Sequence, residues 1–379
     1  MTASAYPAAG AVADTLHTHF ARHVAAARQQ GRQEPAPVPE PDAITAMIDA
    51  AFWASLRREE GFSPKISLAF VPPEQAGRPL LFGHSLPLTP AALSRLAPAV
   101  ERPGIHLGVW HEGGSLSVWG ATRTVPRLGF VLEVVEPGLL VVKYRRGQNP
   151  VKYTNVVVLN GDQIKVVDEG GANIPDCPDL VGSLLGFGVS APDDDSVDAL
   201  VQLAVSMRAH GRGGTLLVVP AGSESWRESI LHPVTYAVEP PHTELAELIG
   251  AEPEAGGRHE WRQALRRAVD AVAGLTAVDG AALVNDRYEL FLFGAKIARR
   301  PGAARVEQVI LTEPVVGDVA SVISPAQLGG TRHLSAAQFA HDQHDALALV
   351  ASQDGRFTLF AWSPCEAMVH AHRVESLLL

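Results

Sequence analysis

Apolar residues recur at Leu16, Phe20, Val24 and Ala27, a spacing that predicts an amphipathic helix over residues 11–29. His19 and His23 stand four apart on it, the spacing of a two-histidine metal grip. No carboxylate or third ligand lies nearby, so a solvated helix face is the expectation. The run EPAPVPEP at 34–41 reads as a proline-rich linker, because proline lacks the amide that a helix needs. Asp42 then reads as an N-cap, with Ile44, Met47, Ile48, Ala51, Phe52 and Leu56 at helical spacing and Gly61 closing the helix.

From there the period shortens to two. Apolar alternation predicts strands at 66–71 and 80–82, a helix at 90–96, then strands at 106–110, 115–119, 129–135, 139–144, 155–159 and 163–167. Glycine, proline and Asn-Gly turns separate them, which predicts a meander of short hairpins, with Asn160-Gly161 the clearest turn. The stretches 173–178 and 186–195 are rich in Gly, Pro and Asp and predict an exposed domain boundary. Beyond it, Ser196 reads as the cap of a helix that turns Leu200, Val201, Ala204 and Met207 inward and ends at Gly211. A buried strand at 215–220 and a helix at 260–274 follow, the latter with Trp261, Leu265, Ala268, Val269 and Val272 on one face. Met368, Val369, Val374, Leu377 and Leu378 predict a last helix over 364–379.

Composition narrows the function classes. At 379 residues the chain is long enough for two cores, with 46% hydrophobic and 19% charged residues. No apolar run is long enough to span a bilayer and no secretory signal is visible, so a cytoplasmic protein without a membrane span is expected. The two cysteines, Cys177 and Cys365, are isolated, which argues against a disulfide framework or a thiolate zinc site. A net charge of −10 argues against a nucleic-acid partner, but not against a local basic pocket for one nucleotide.

Two stretches carry candidate chemistry. Val278-Asp279-Gly280-Ala281 opens a strand and is followed by the Asn285-Asp286 turn and a strand at 288–293. An Asp-Gly there sets a carboxylate at a strand end where backbone and ligand can approach closely. Gly329-Gly330-Thr331-Arg332-His333-Leu334-Ser335 runs into a helix reaching His344. A helix N-terminus favours an anion, Arg332 can grip phosphate oxygens bidentately, and Thr331 and His333 add directed donors. Each stretch alone is also ordinary turn or loop chemistry. Other motifs carry less. Gly211-Arg212-Gly213-Gly214 lacks the Lys-Ser/Thr of a phosphate loop, and His111-Glu112 lacks the second histidine of a metalloprotease helix. No Gly-x-Ser-x-Gly elbow occurs, and His341 and His344 beside Asp342 and Asp345 read as an exposed polar face before they read as metal ligands.

Together and in this order, the two stretches resemble the bacterial diadenylate cyclase domain over residues 193–362. The matching positions are Asp279-Gly280-Ala281, then Gly330-Thr331-Arg332-His333, then a strand at 347–351 leading to Ser352-Gln353-Asp354-Gly355. The family's Gly-Thr-Arg-His-Arg-Ala-Ala has Leu334 for its second Arg, and Ser335 intervenes before the Ala-Ala pair. Its Ser-Glu-Glu has become Ser352-Gln353-Asp354, and Val278 stands where members often carry a His. These departures make the pattern most similar to divergent DACNV-type sensor domains, which keep the pocket and vary the acids.

The resemblance implies a fold and a function. The expected architecture is α/β: a C-terminal mixed sheet flanked by helices, preceded by a β-rich α+β domain. The expected parts are an N-terminal helix and linker (1–41), an α+β domain of unassigned role (42–190) and the nucleotide-binding domain (191–379). It implies a nucleotide sensor that binds ATP or a cyclic dinucleotide, with a working cyclase joining two ATP into cyclic di-AMP as the alternative. Asp279, Gly280, Ala281, Gly330, Thr331, Arg332 and His333 would bind the nucleotide. In the cyclase, Asp279 and Asp354 would be the catalytic acids, and Asp279 would hold Mg²⁺ or Mn²⁺. An adenine nucleotide is the expected partner, and a homodimer or a signalling partner stays open.

Overall fold

The computed structural model describes residues 6–29, 36–58, 61–145, 153–168, 199–251 and 257–379. These gather into two compact units, one ending at Val167 and the other running from Ala199 to Leu378. The boundary expected over 186–195 and the Ser196 cap lie outside the described residues.

In the first unit, helix Pro7–Gln29 buries Leu16, Phe20, Val24 and Ala27, as its apolar stripe predicts. Its histidine face is not freely solvated: His19 and His23 are half-buried, with rings 6.0 Å and 5.5 Å from that of Tyr144. The second helix, Pro41–Ser55, starts one residue before the expected cap. Glu40 is its N-cap and Pro41 its first residue, because proline's fixed φ suits a first turn that needs no amide donor.

Strands β1 (Ile66–Phe70), β2 (Leu80–Pro87), β3 (His106–Glu112), β4 (Ser115–Thr122), β5 (Phe130–Glu136), β6 (Leu139–Arg145), β7 (Tyr153–Asn160) and β8 (Gln163–Val166) form one sheet. Its order is β2-β4-β3-β1-β5-β6-β7-β8. The expected meander holds from β5 to β8, and Gly161 turns the β7–β8 hairpin at φ +58°. The β3–β4 hairpin is also as expected, and the meander breaks between β4 and β5, where β1 is inserted, antiparallel to β5 and parallel to β3 with Leu68 beside Leu107. A parallel neighbour needs a crossover, and helix Pro90–Val100 lies in the connection. Ile66, Leu68 and Phe70 join Phe130, Leu132 and the helices in one core, while Ala69, Val71 and Val131 face a smaller cluster with Trp119.

The second unit has helices Ala199–Ala209, Glu244–Gly250, Arg258–Leu275 and Thr331–Asp342. Its strands are β9 (Gly214–Val219), β10 (Tyr236–His242), β11 (Ala281–Asn285), β12 (Leu290–Ala295), β13 (Val309–Thr312), β14 (Ser321–Ile323), β15 (Leu347–Ala351), β16 (Phe357–Ser363) and β17 (Met368–Arg373). They form a mixed nine-stranded sheet in the order β10-β12-β11-β9-β15-β16-β17-β13-β14, so the chain is of the α/β class. Parity along the central strands sorts the two faces. Leu216, Val218, Ala282, Val284 and Leu349 pack on the helices around Leu203, Leu265 and Val272. Leu217, Val219, Leu283, Ala348 and Val350 pack on Ala336, Ala337, Phe339 and Ala340 of helix Thr331–Asp342.

Two expectations change here. Residues 364–379 do not form a helix: a turn at 364–367 leads into β17, which pairs antiparallel with β16. His370 and His372 are as buried as Val369 and Ala371, so a strand buried on both faces looks amphipathic only if its histidines are counted as polar. The strand expected from 288 begins at Leu290, since Tyr288 occupies the turn with φ +66°.

Phe339 is fully buried between the sheet and its helix. Truncating such a ring costs about 3–5 kcal/mol. Phe339→Ala is expected to lower unfolding free energy by about that much in urea titration, whereas a loss under about 1 kcal/mol would show that this helix is not anchored to the sheet.

Candidate functional site

At one end of the second sheet the strand ends and a helix start enclose a cleft of about 430 Å³. That volume is within the range of small-molecule sites. Its lining includes Asp279, Gly280, Ala281, Gly330, Thr331, Arg332 and His333, so the two motifs separated in sequence meet in one place. Thr215, Lys296, Ser335, Val350 and Ser352 are also part of its polar and apolar walls.

Register explains the meeting. β9 runs parallel to β11 and antiparallel to β15, with Thr215 opposite Val350. The start of β9, the start of β11 and the end of β15 therefore share one edge of the sheet. Helix Thr331–Asp342, packed on that face, brings its N-terminus to the same edge. Its N-cap is Gly330, with no side-chain capping hydrogen bond and no acid in the first turn. The helix start thus presents unsatisfied amides and the positive end of its dipole.

The backbone at Asp279 is held by a close approach. Gly280 has φ +126°, and a Cβ there would fall 2.4 Å from the Gly294 carbonyl carbon. Only glycine fits that conformation and that space. Ala281 pairs with Ala295, which sets Lys296 beside Asp279, and Lys296 Nζ donates to Asp279 Oδ2 at 2.6 Å. That hydrogen bond, then the lysine's charge, holds the Asp279 carboxyl below the usual carboxylate range, with a further pull from Arg332.

Arg332 lies against the Gly213 backbone, where an added Cβ would sit 2.9 Å from Nη1. The glycine loop before β9 therefore leaves room for the guanidinium. His333 is only 2% exposed, and its Nε2 has no hydrogen-bond partner. Burial pushes its imidazole below the usual histidine value, ahead of the opposing pull of Asp354. Its Nε2 is an unsatisfied hydrogen-bonding atom in the cleft wall.

The remaining motif residues lie elsewhere. Asp354 is not among the lining residues: its Oδ2 lies 3.4 Å from Arg356 Nε, within the turn after β15. Gln353 Nε2 donates to the Arg212 carbonyl at 3.3 Å. Leu334 is absent from the lining, whereas Ser335, one helical turn after Thr331, belongs to it. Lys296 was not singled out in the sequence. A lone lysine after an apolar strand carries no local signal, and only the β11–β12 register reveals it.

A second cleft of about 380 Å³ lies at the other end of the same sheet, lined in part by Ser223, Ser225, Arg300, His341 and His344. Of the residues expected there as an exposed polar face, His344 and Asp345 are exposed, whereas His341 is half-buried and Asp342 is buried. Asp342 accepts from the Arg300 amide and Gln338 Nε2 and contacts His341 Nδ1 at 2.9 Å, while the His344 ring stacks on Trp362 at 3.9 Å. Among the described residues no three His, Cys, Asp or Glu side chains gather as metal ligands. No helix of the described residues is long and apolar enough to cross a membrane.

Residues 33–123 match the family model described as "Probable sensor domain DACNV". The sensor match falls in the first unit, across helices Pro41–Ser55 and Pro90–Val100 and strands β1 to β4, and not on the stretch that holds the cleft. No curated protein matches the chain. A crystal structure titled as a hypothetical membrane spanning protein from Bacillus cereus is 15% identical, with a TM-score of 0.27. The match covers 48% of this chain and 65% of that one, and so weak a likeness carries no argument.

The sensor-matched stretch contributes to a polar cluster that sequence reading also missed. Ser67 Oγ lies 2.7 Å from His106 Nδ1, and the Tyr153 hydroxyl lies 3.0 Å from His106 Nε2. Beside it Lys143 pairs with Glu133, its Nζ 5.0 Å from the Tyr153 ring centre. Burial lowers His106 to about 4 and Lys143 to about 8. Each member has a partner, so the network is closed and fixes the sheet face on which it sits.

The Asp279–Lys296 contact makes a specific titration prediction. A carbon-detected NMR titration of the Asp279 carboxyl is expected to give a midpoint below the usual carboxylate value, and Lys296→Met should move it up. An unchanged midpoint would show that the two groups do not pair in solution.

Proposed function

We propose that the cleft of the second unit binds an adenine nucleotide, ATP or a cyclic dinucleotide, and that the protein works as a nucleotide-linked sensor with little or no synthesis of cyclic di-AMP. The observation that carries this is the meeting of Asp279-Gly280-Ala281 with Gly330-Thr331-Arg332-His333 around one cavity of suitable size. An uncapped helix start, a guanidinium and an ammonium supply donors for phosphate oxygens. The adenine part of the proposal rests on the resemblance of these motifs to diadenylate cyclase domains. The match of residues 33–123 to a probable sensor domain supports the sensing half.

Weak synthesis follows from charge. The attack of a 3′-hydroxyl on an α-phosphate builds negative charge that preorganised cations and acids must stabilise. Leu334 brings no charge, Gln353 is neutral, and Asp354 is paired with Arg356 away from the lining. Loss of one preorganised electrostatic contact costs on the order of 10²–10³ in rate. Ground-state binding keeps Arg332 and the helix start and should suffer less.

One observation favours a second reading. The sensor match lies in the first unit, so sensing and the cleft fall on different stretches, and the cleft could serve as a cyclase governed by that sensor. In that case Asp279 would assist the attacking hydroxyl, and a divalent ion would supply charge neutralisation at the phosphates. Lys296 would first have to release the Asp279 carboxylate.

Incubation with ATP and Mn²⁺ or Mg²⁺ separates the readings. A thermal shift with little product is expected, and Arg332→Ala should weaken binding by roughly ten- to a hundredfold in calorimetric titration. Arg266→Ala, on the exposed face of helix Arg258–Leu275, is the matched control. Arg373 would be a poor control, because it is largely buried and lies 4.0 Å from Glu375. Brisk metal-dependent synthesis, abolished by Asp279→Asn, would install the cyclase reading. Equal affinities for the two arginine variants would remove the cleft assignment.

A further inference from the structure

We propose that Lys296 is a built-in cation of this cleft, and that the cleft takes its nucleotide through a single phosphodiester or monophosphate group without a divalent metal. This rests on the nucleotide reading above and narrows it to one mode of recognition.

Asp279 is the one carboxylate among the residues that line the cleft, and Lys296 Nζ already sits 2.6 Å from it. The contact is built by backbone. The β11–β12 register and the close packing of Gly280 on Gly294 leave the two side chains adjacent. A divalent ion bound to Asp279 would have to displace the ammonium or lie beside it, positive charge against positive charge. It would also need further oxygen ligands. Asp354, the other acid of the motif, is turned to Arg356 outside the lining. One oxygen of Asp279 is thus taken by the ammonium and no second carboxylate stands among the lining residues, so the donor set at Asp279 does not fit a divalent ion.

The charge balance then selects the ligand. Among the lining residues Lys296 and Arg332 against Asp279 leave about one net positive charge, and burial pushes His333 toward its neutral form. Just beyond the lining, Asp354 is offset by Arg356 and Arg373 by Glu375. A phosphodiester carries one negative charge and a monophosphate one to two, which this balance offsets. A triphosphate without its metal would leave most of its charge unmatched. Lys296 is 53% exposed and can swing from Asp279 to a phosphate oxygen without losing a buried partner.

The test is calorimetric titration of the full chain with cyclic di-AMP and with ATP, each in EDTA and in Mg²⁺. The wild-type protein is expected to bind cyclic di-AMP equally in both buffers, and more tightly than ATP in EDTA. Lys296→Met should lose roughly ten- to a hundredfold affinity in EDTA. Mg²⁺ should restore part of that loss, because the variant frees Asp279. Lys296→Arg should keep metal-independent binding, and its circular dichroism and melting point control for folding. Wild-type binding that requires Mg²⁺, or a Lys296→Met variant with unchanged affinity, would overturn the inference and leave the nucleotide reading standing. Absence of binding to either nucleotide in both buffers would overturn that reading and this inference together.

Discussion

The second unit depends on one constraint: its central strands are buried on both faces at once. Leu216, Leu217 and Leu283 are each fully buried, so β9 and β11 have no side on which a charged residue could face water. Burying an unpaired charge there would cost several kcal/mol. Polar chemistry is therefore pushed to the strand ends, and two such ends hold the two clefts. Helix Thr331–Asp342 covers one face, and its direction decides which end receives a helix start and which a helix end. The cleft with Asp279, Lys296 and Arg332 has the start, where anions are favoured.

This constraint also explains what could be read from the sequence. Amphipathic helices with one wet face, such as Pro7–Gln29 and Arg258–Leu275, announce themselves through Leu16, Phe20 and Val24 or Leu265, Val269 and Val272. Strands buried on both faces give continuous apolar runs, and those at 215–219 and 347–351 were equally legible. The failures come where partners are distant. The apolar spacing of Met368, Val369, Val374, Leu377 and Leu378 suggests a helix, but His370 and His372 between them are buried in β17, His372 with Nδ1 2.7 Å from Thr312 Oγ1. The parallel β1–β3 pair was hidden because sequence neighbours suggest hairpins, and only the crossover through Pro90–Val100 separates the cases.

The candidate site divides in the same way. Asp279-Gly280 and Gly330 to His333 carry local signatures, a strand end and a helix start, so both were visible before their contact was. Lys296 and Ser335 enter the cleft through register and helical periodicity, which no local pattern records. Asp354 shows the opposite error. Its place in a motif suggested an acid at the cleft, yet Arg356 two residues on is its nearer partner. A motif gives residue types in order. Whether a carboxylate faces a ligand depends on which cation reaches it first.

The central claim is that the cleft beside Asp279 and Arg332 receives the nucleotide, and not the cleft beside Arg300 and His341. Amide NMR of the labelled chain, titrated with cyclic di-AMP, tests this most directly. Perturbations are predicted at Gly280, Ala281, Lys296 and the amides of 330–335, where the cleft is lined by strand ends and a helix start. Perturbations confined to Ser223, Ser225 and residues 341–346 would contradict the account and move the site to the opposite end of the sheet.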